Sequence, residues 1–110
     1  MVLNTKLTSA MKNTITQLRL IDTGALLASA EVYVNDTGTS LILEVRSEDY
    51  IKYHVYSSQI TEIFLTQTGV NDEINVFLIP QIEKAIQKTL DGQEAYLAPE
   101  LYITYNDGIL

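Results

Sequence analysis

The hydrophobic period changes along this chain, and that change limits the fold more than any motif does. Leu7, Met11, Ile15 and Leu18 recur at helical spacing, with Thr5, Lys6, Lys12, Asn13, Gln17 and Arg19 off the stripe. Such a stripe predicts an amphipathic helix over residues 4–20. Over residues 29–47 the period is two. Val32 and Val34 alternate with Glu31, Tyr33 and Asn35, and Leu41, Leu43 and Val45 alternate with Ile42, Glu44 and Arg46. The turn-forming residues 35–39 between the two runs predict a β-hairpin whose apolar face packs on helices. The expected class is α+β: an antiparallel sheet with an N-terminal amphipathic helix and a C-terminal helix packed on one face.

The remaining segments are read the same way. Gly24 frees the backbone after the first helix, and Asp22 or Thr23 can cap a short turn after it. Residues 25–29 are either that turn or an approach to the strand. Residues 48–56 carry two periods: Tyr50, Tyr53 and Tyr56 fall three apart, whereas Ile51, Tyr53 and Val55 alternate. The reading taken is a turn into a short third strand. Ser57 or Ser58 caps a helix over about 58–68 with Ile60, Ile63 and Phe64 on one side and Gly69 as its stop. Ile74, Leu78, Ile82, Ile86 and Leu90 recur every four residues and predict a helix over about 72–91. Asn71 or Asp72 can cap it, and Asp72 and Glu73 suit its positive end. Pro80 costs roughly 3 kcal/mol inside a helix and almost nothing in a first turn. The firm part is therefore expected over residues 79–90, with residues 71–78 either an offset extension or a loop. Leu101, Ile103 and Tyr105 alternate with Tyr102 and Thr104, a last strand over about 100–106. At 110 residues and 46% apolar content, one domain spanning 1–110 is expected.

Charge narrows the partners. Fourteen acids face seven bases, for a net charge of −7. Residues 1–55 hold five bases and six acids, residues 56–110 two bases and eight acids. Such a chain is a poor candidate for gripping nucleic acid, which requires neutralising phosphate. It could line a path along which DNA slides without sticking. There is no cysteine, so disulfide and thiolate chemistry are excluded. No signal-peptide pattern and no apolar run of membrane-spanning length is seen, and the chain is expected to be made and kept inside a cell, away from membranes.

Chemical readings of the motifs find little to stand on. Asp22-Thr23-Gly24 resembles the aspartic-protease triplet, but that chemistry needs a second carboxyl sharing one proton and an all-β setting. Here the triplet comes after an amphipathic helix, where a turn is the plainer reading. His54 is the sole histidine and no G-x-S-x-G surrounds any serine. Glycines are too sparse for a phosphate loop, and residues 71–73 lack the ligand pattern of a calcium loop. No catalytic, cofactor-binding or metal-ligating residue is assigned and no cofactor is expected. Seven tyrosines sit among acids, which favours packing or interfaces over base stacking.

Three segments in order resemble the small neck and tail-completion proteins of tailed bacteriophages, which include head–tail connectors and tail terminators. Asp22, Thr23, Gly24, Leu26 and Ser29 match a D-T-G-x-L-x-x-S segment leading into the first strand. Tyr50, Tyr53 and Val55 match a tyrosine-rich stretch, and Phe77, Leu78 and Pro80 match the start of a later helix. The resemblance spans about residues 4–90. The family's small Gly-Thr after the tyrosines is replaced here by residues 57–69.

The resemblance implies a virion protein of the head–tail junction, assembled in the host cytoplasm. It implies a homo-oligomeric six- or twelve-fold ring beside other neck, portal-adaptor or tail-tube proteins, with DNA passing through the lumen without specific binding. A small acidic immunity- or inhibitor-like module acting on a basic partner protein is the alternative.

Overall fold

The computed structural model describes residues 1–22, 24–92 and 99–108. After a two-residue strand β1 (Val2–Leu3), Asn4 opens helix α1 (Thr5–Gln17) by accepting the Leu7 N–H on its side-chain oxygen at 2.9 Å. Leu7, Ala10, Met11, Thr14 and Ile15 are the buried face, the stripe that the spacing predicts. The helix ends three residues earlier than expected. Arg19 adopts φ +55°, its N–H reaches the Thr16 carbonyl, and the Leu20 N–H reaches the Ile15 carbonyl. This is a Schellman stop with arginine where glycine is usual, closed by the buried pair Ile15 and Leu20.

Residues 25–29 resolve as a turn of helix, α2 (Ala25–Ser29), entered through Gly24 at φ +84° with no side-chain cap. Strands β2 (Glu31–Asp36) and β3 (Ser40–Ser47) form the expected hairpin, from the pair Glu31↔Arg46 to Asp36↔Leu41. Val32, Val34, Leu41, Leu43 and Val45 face the core.

The next segment departs from expectation. Tyr50–Tyr56 is a 3₁₀ helix, not a strand. Its period of three equals the tyrosine spacing, so that periodicity is the one that governs here. It runs directly into α3 (Ser57–Thr66), where Ser57 is the first helical residue instead of a cap and its N–H bonds the His54 carbonyl. Ile60 and Phe64 are buried.

Helix α4 (Val70–Leu90) is continuous through Pro80, which therefore sits in the helix interior, not in a first turn. Pro80 is exposed, so the lost i→i−4 bond falls at a solvent-facing position. The αL residue Gly69 stands at the N-cap, where Asn71 or Asp72 was expected. The four-residue repeat has a geometric consequence. In a helix of 3.6 residues per turn each step of four rotates the stripe by about 40°. Ile74 is buried, Leu78 and Ile82 are half-buried, and Ile86 and Leu90 are exposed. Gln81 is the last buried residue of α4, and its side-chain N–H donates to Asp36 Oδ1 and the Ser40 carbonyl at the hairpin tip. The final turns project beyond the body. The molecule measures 55 × 27 × 23 Å with a radius of gyration of 15.8 Å, against about 13 Å for a compact chain of this length.

The sheet has the order β1-β2-β3-β4, antiparallel over its first three strands. Strand β4 (Glu100–Asp107) joins β3 in parallel, from Ser40↔Glu100 to Ser47↔Asp107. The fold is α+β as expected, with a mixed sheet in place of a wholly antiparallel one. A strand that comes after a long helical excursion can return in either sense, and alternation alone does not set it. Helices α1, α3 and α4 pack together; α1 and α2 bear on the hairpin and α4 touches β3. Phe64 is fully buried at the centre of this core with Leu7, Met11 and Leu43.

Two substitutions check this account by urea unfolding. Phe64→Ala is expected to cost about 3–5 kcal/mol. Arg19→Gly, which relieves the left-handed strain, is expected to raise stability by up to about 1 kcal/mol.

Candidate interaction surface

The structure gathers two of the three sequence segments into one cluster. Gly24 supplies the positive φ that turns the chain, and Leu26 then enters the core at 3% exposure. Ser29 Oγ donates to the Ala25 carbonyl at 2.6 Å and accepts the Glu48 N–H at 2.7 Å, locking α2 to the residue just past β3. On the other flank the Asp22 N–H donates to the Tyr53 hydroxyl at 3.1 Å, and the Asp22 carboxylate lies 3.8 Å from Lys52 Nζ. Lys52 also faces Asp49 at 3.7 Å. These exposed ion pairs contribute at most about 1 kcal/mol each. Geometry is their role: the turn and the 3₁₀ helix are held against each other. Thr23 lies outside the described residues.

The third segment lies elsewhere, on α4. Leu78 packs against the core, as does Phe77, which lines a concavity of about 340 Å³ with Met1, Val2, Leu3 and Val34.

Tyr50 has a partner that sequence reading did not supply. Its ring stacks on Tyr105 of β4, centroids 5.2 Å apart and planes 9° from parallel. Tyr105 in turn shares a 2.6 Å hydrogen bond with Thr61 Oγ1 on α3. Burial pushes the Tyr105 phenol up to about 12, partly opposed by the Thr61 hydrogen bond. The last strand is thereby tied to the 3₁₀ helix and α3 by one residue.

With Tyr50 and Tyr53 turned inward, the 3₁₀ helix displays apolar side chains outward. Ile51 is 67% and Val55 70% exposed, and Tyr56 is exposed beside them. His54 is exposed and its Nδ1 lies 2.8 Å from the Ile51 carbonyl, a bond that requires the ring proton on Nδ1. A depression of about 560 Å³ opens next to this segment, lined by Tyr50, Ser57, Ser58, Thr61, Ile103 and Tyr105.

The opposite face of the sheet holds a polar cluster that alternation marked only as outward-facing. Glu44 is 8% exposed, and its Oε1 accepts from Arg46 Nε at 2.9 Å and Asn106 Nδ2 at 2.6 Å. The Arg46 hydrogen bond holds the Glu44 carboxyl below its usual range; burial works against it and Asn106 adds to it. The Arg46 guanidinium lies 4.3 Å from the centroid of the Tyr33 ring. The cluster joins β2, β3 and β4 across the sheet. Among the described residues no group of three or more His, Asp or Glu is placed to hold a metal ion, and no helix is long and apolar enough to cross a membrane.

The tyrosine clasp has a measurable signature. Tyr105 keeps its proton in the folded chain at a pH where the unfolded chain has lost it. Its contribution is therefore complete below about pH 10 and falls as pH rises towards 12. The folded chain should lose roughly 2–3 kcal/mol over that window. Tyr105→Phe should flatten this part of the profile while costing about 1 kcal/mol at neutral pH through the lost Thr61 bond. Denaturant midpoints of both proteins from pH 8 to about 12 read the difference.

No family model, no curated protein and no solved structure matches this chain.

Proposed function

We propose that this chain is a bacteriophage virion structural protein of the head–tail connector, neck or tail-completion type. It acts by assembling with copies of itself into a six- or twelve-fold ring. The ring would stand at the head–tail junction beside neck, portal-adaptor or tail-tube proteins, and DNA would pass through its lumen. The observation that carries this reading is the joined cluster of the D-T-G-x-L-x-x-S turn and the tyrosine segment. Two segments picked out by their resemblance to that group meet through Asp22 and Tyr53, and together they support an exposed apolar ridge of Ile51 and Val55. A ridge of that kind on an acidic chain suits contact with protein better than contact with phosphate.

Charge supports the same reading. A lumen that conducts DNA must not retain it, and a subunit with seven excess negative charges repels phosphate at any exposed face where its acids predominate. Ring closure requires heterologous contacts, in which two different patches of one subunit meet on its neighbours. The hairpin tip around residues 35–39, the 3₁₀ helix and the terminal strand β4 are the candidate patches.

Negative-stain imaging of the purified chain, alone and with portal or tail assemblies, tests the proposal. Particles with six- or twelve-fold rotational symmetry are expected. The pair of substitutions Ile51→Asp and Val55→Asp should disperse them, with little loss of fold stability because both side chains are exposed. A chain that forms no ring alone and binds neither portals nor tails overturns the reading. Capture of a single basic enzyme at 1:1 stoichiometry would replace it with the inhibitor-like alternative.

A further inference from the structure

The projecting end of α4 carries an apolar stripe that stands exposed among the described residues. Ile79 is 49%, Ile86 46% and Leu90 75% exposed, and Ile82 is half-buried between them. These four residues fall on one flank of the helix, rotated away from the face that buries Val70, Ile74 and Gln81. Nine residues of the helix lie beyond Gln81, its last buried position.

We propose that two copies of this chain pair through α4, antiparallel, stripe against stripe. The spacing supports this directly. Ile82 and Ile86 lie two residues either side of position 84, and Ile79 and Leu90 lie five before and six after it. An antiparallel pair centred there sets Ile82 against Ile86 of the second copy and Ile79 against its Leu90, four apolar layers from one repeated set of side chains.

Charge favours a second copy as the occupant. Residues 79–91 hold Glu83, Lys84, Lys88 and Asp91, net zero, so the whole excess of −7 lies outside this segment. Two copies repel each other over the rest of the surface and meet here without that penalty. Glu83 and Gln87 share one flank of the stripe, and antiparallel packing brings Glu83 of one copy to Gln87 of the other. Gln87 already donates one amide hydrogen to Asp91 Oδ1 at 3.0 Å and has a second to offer the carboxylate. Lys84 and Lys88 point to the other side of the helix, which leaves Glu83 and its counterpart in the second copy, about two residues out of level on one flank, as the like charges nearest the seam.

The stripe is about 17 Å long, shorter than a standard stable interface provides. The pair is accordingly weak, with a dissociation constant on the order of 1–100 µM. A two-fold contact closes on itself, so it is separate from the contacts that would build a ring. The ring reading falls on particle symmetry and this one falls on α4, and either can fail alone.

Sedimentation velocity of the full chain from about 1 to 200 µM tests the pairing. A reversible, concentration-dependent doubling of the smallest sedimenting species is expected, whether that species is one chain or a ring. Ile86→Glu and Leu90→Glu should each weaken it at least about tenfold, with circular dichroism and melting temperature unchanged because both side chains are exposed. The absence of cysteine makes the register directly readable. Chains carrying Ile82→Cys alone and Ile86→Cys alone should form disulfide dimers readily only when mixed. A parent chain monomeric at about 200 µM, or an Ile86→Glu chain that pairs as tightly as the parent, overturns the proposal. Cross-linking within either single variant as fast as in the mixture overturns the antiparallel arrangement.

Discussion

Strand β3 is the constraint on which the rest of the molecule depends. It is hydrogen-bonded on both sides, antiparallel to β2 and parallel to β4. Its inner face, Leu41, Leu43 and Val45, belongs to the same core as the buried sides of α1 and α3. Its outer face carries Glu44 and Arg46, which bridge to Tyr33 on β2 and Asn106 on β4. A strand committed on both edges and both faces has one register available to it, because a one-residue slip would exchange Glu44 with the leucines.

From that strand the fold extends in two directions of unequal firmness. The hairpin, α1 and α3 share fully buried side chains, and the hydrophobic term dominates there. The periphery is held by single polar contacts: Ser29 to Glu48, Tyr53 to Asp22, Tyr105 to Thr61, Gln81 to Asp36. Each joins segments far apart in sequence, and each is worth about 1 kcal/mol net. These contacts position the exposed surfaces instead of stabilising the body. The apolar ridge of the 3₁₀ helix and the end of α4 are thus presented from a firm base by modest ties, an arrangement that leaves both open to contact.

Legibility in the sequence divides along the same line. The α1 stripe and the hairpin alternation were legible because each element buries one face, and burial is what periodicity records. The 3₁₀ helix was not, because Tyr50, Tyr53 and Tyr56 share residues with the alternating set Ile51, Tyr53 and Val55. Nothing local says that Tyr53 and Tyr50 turn inward to Asp22 and Tyr105. Pro80 misled in a different way. Its cost in a helix interior is real, but the helix flanking it is anchored by Ile74 before and Gln81 after, and those contacts outweigh one missing hydrogen bond. The family-motif residues fared unequally for the same reason. Gly24, Leu26, Ser29, Tyr50 and Tyr53 have roles visible in the fold, whereas Phe77 and Leu78 are ordinary core-edge residues. The Glu44–Arg46–Asn106 cluster left only a faint trace, charged residues at alternate positions of one strand, and its third member lies 62 residues further on.

The parallel docking of β4 also bears on how the chain is made. The partner of Ser40 is Glu100, sixty residues later, so one side of β3 lies open while all of α3 and α4 are being synthesised. Contacts that distant in sequence are the slowest to close. During that interval β3 presents an unsatisfied edge of hydrophobic character to anything nearby, including the terminal strand of another nascent copy. Where many copies are translated together, the same pairing can also form between chains, and strand exchange is the misassembly that this topology leaves open.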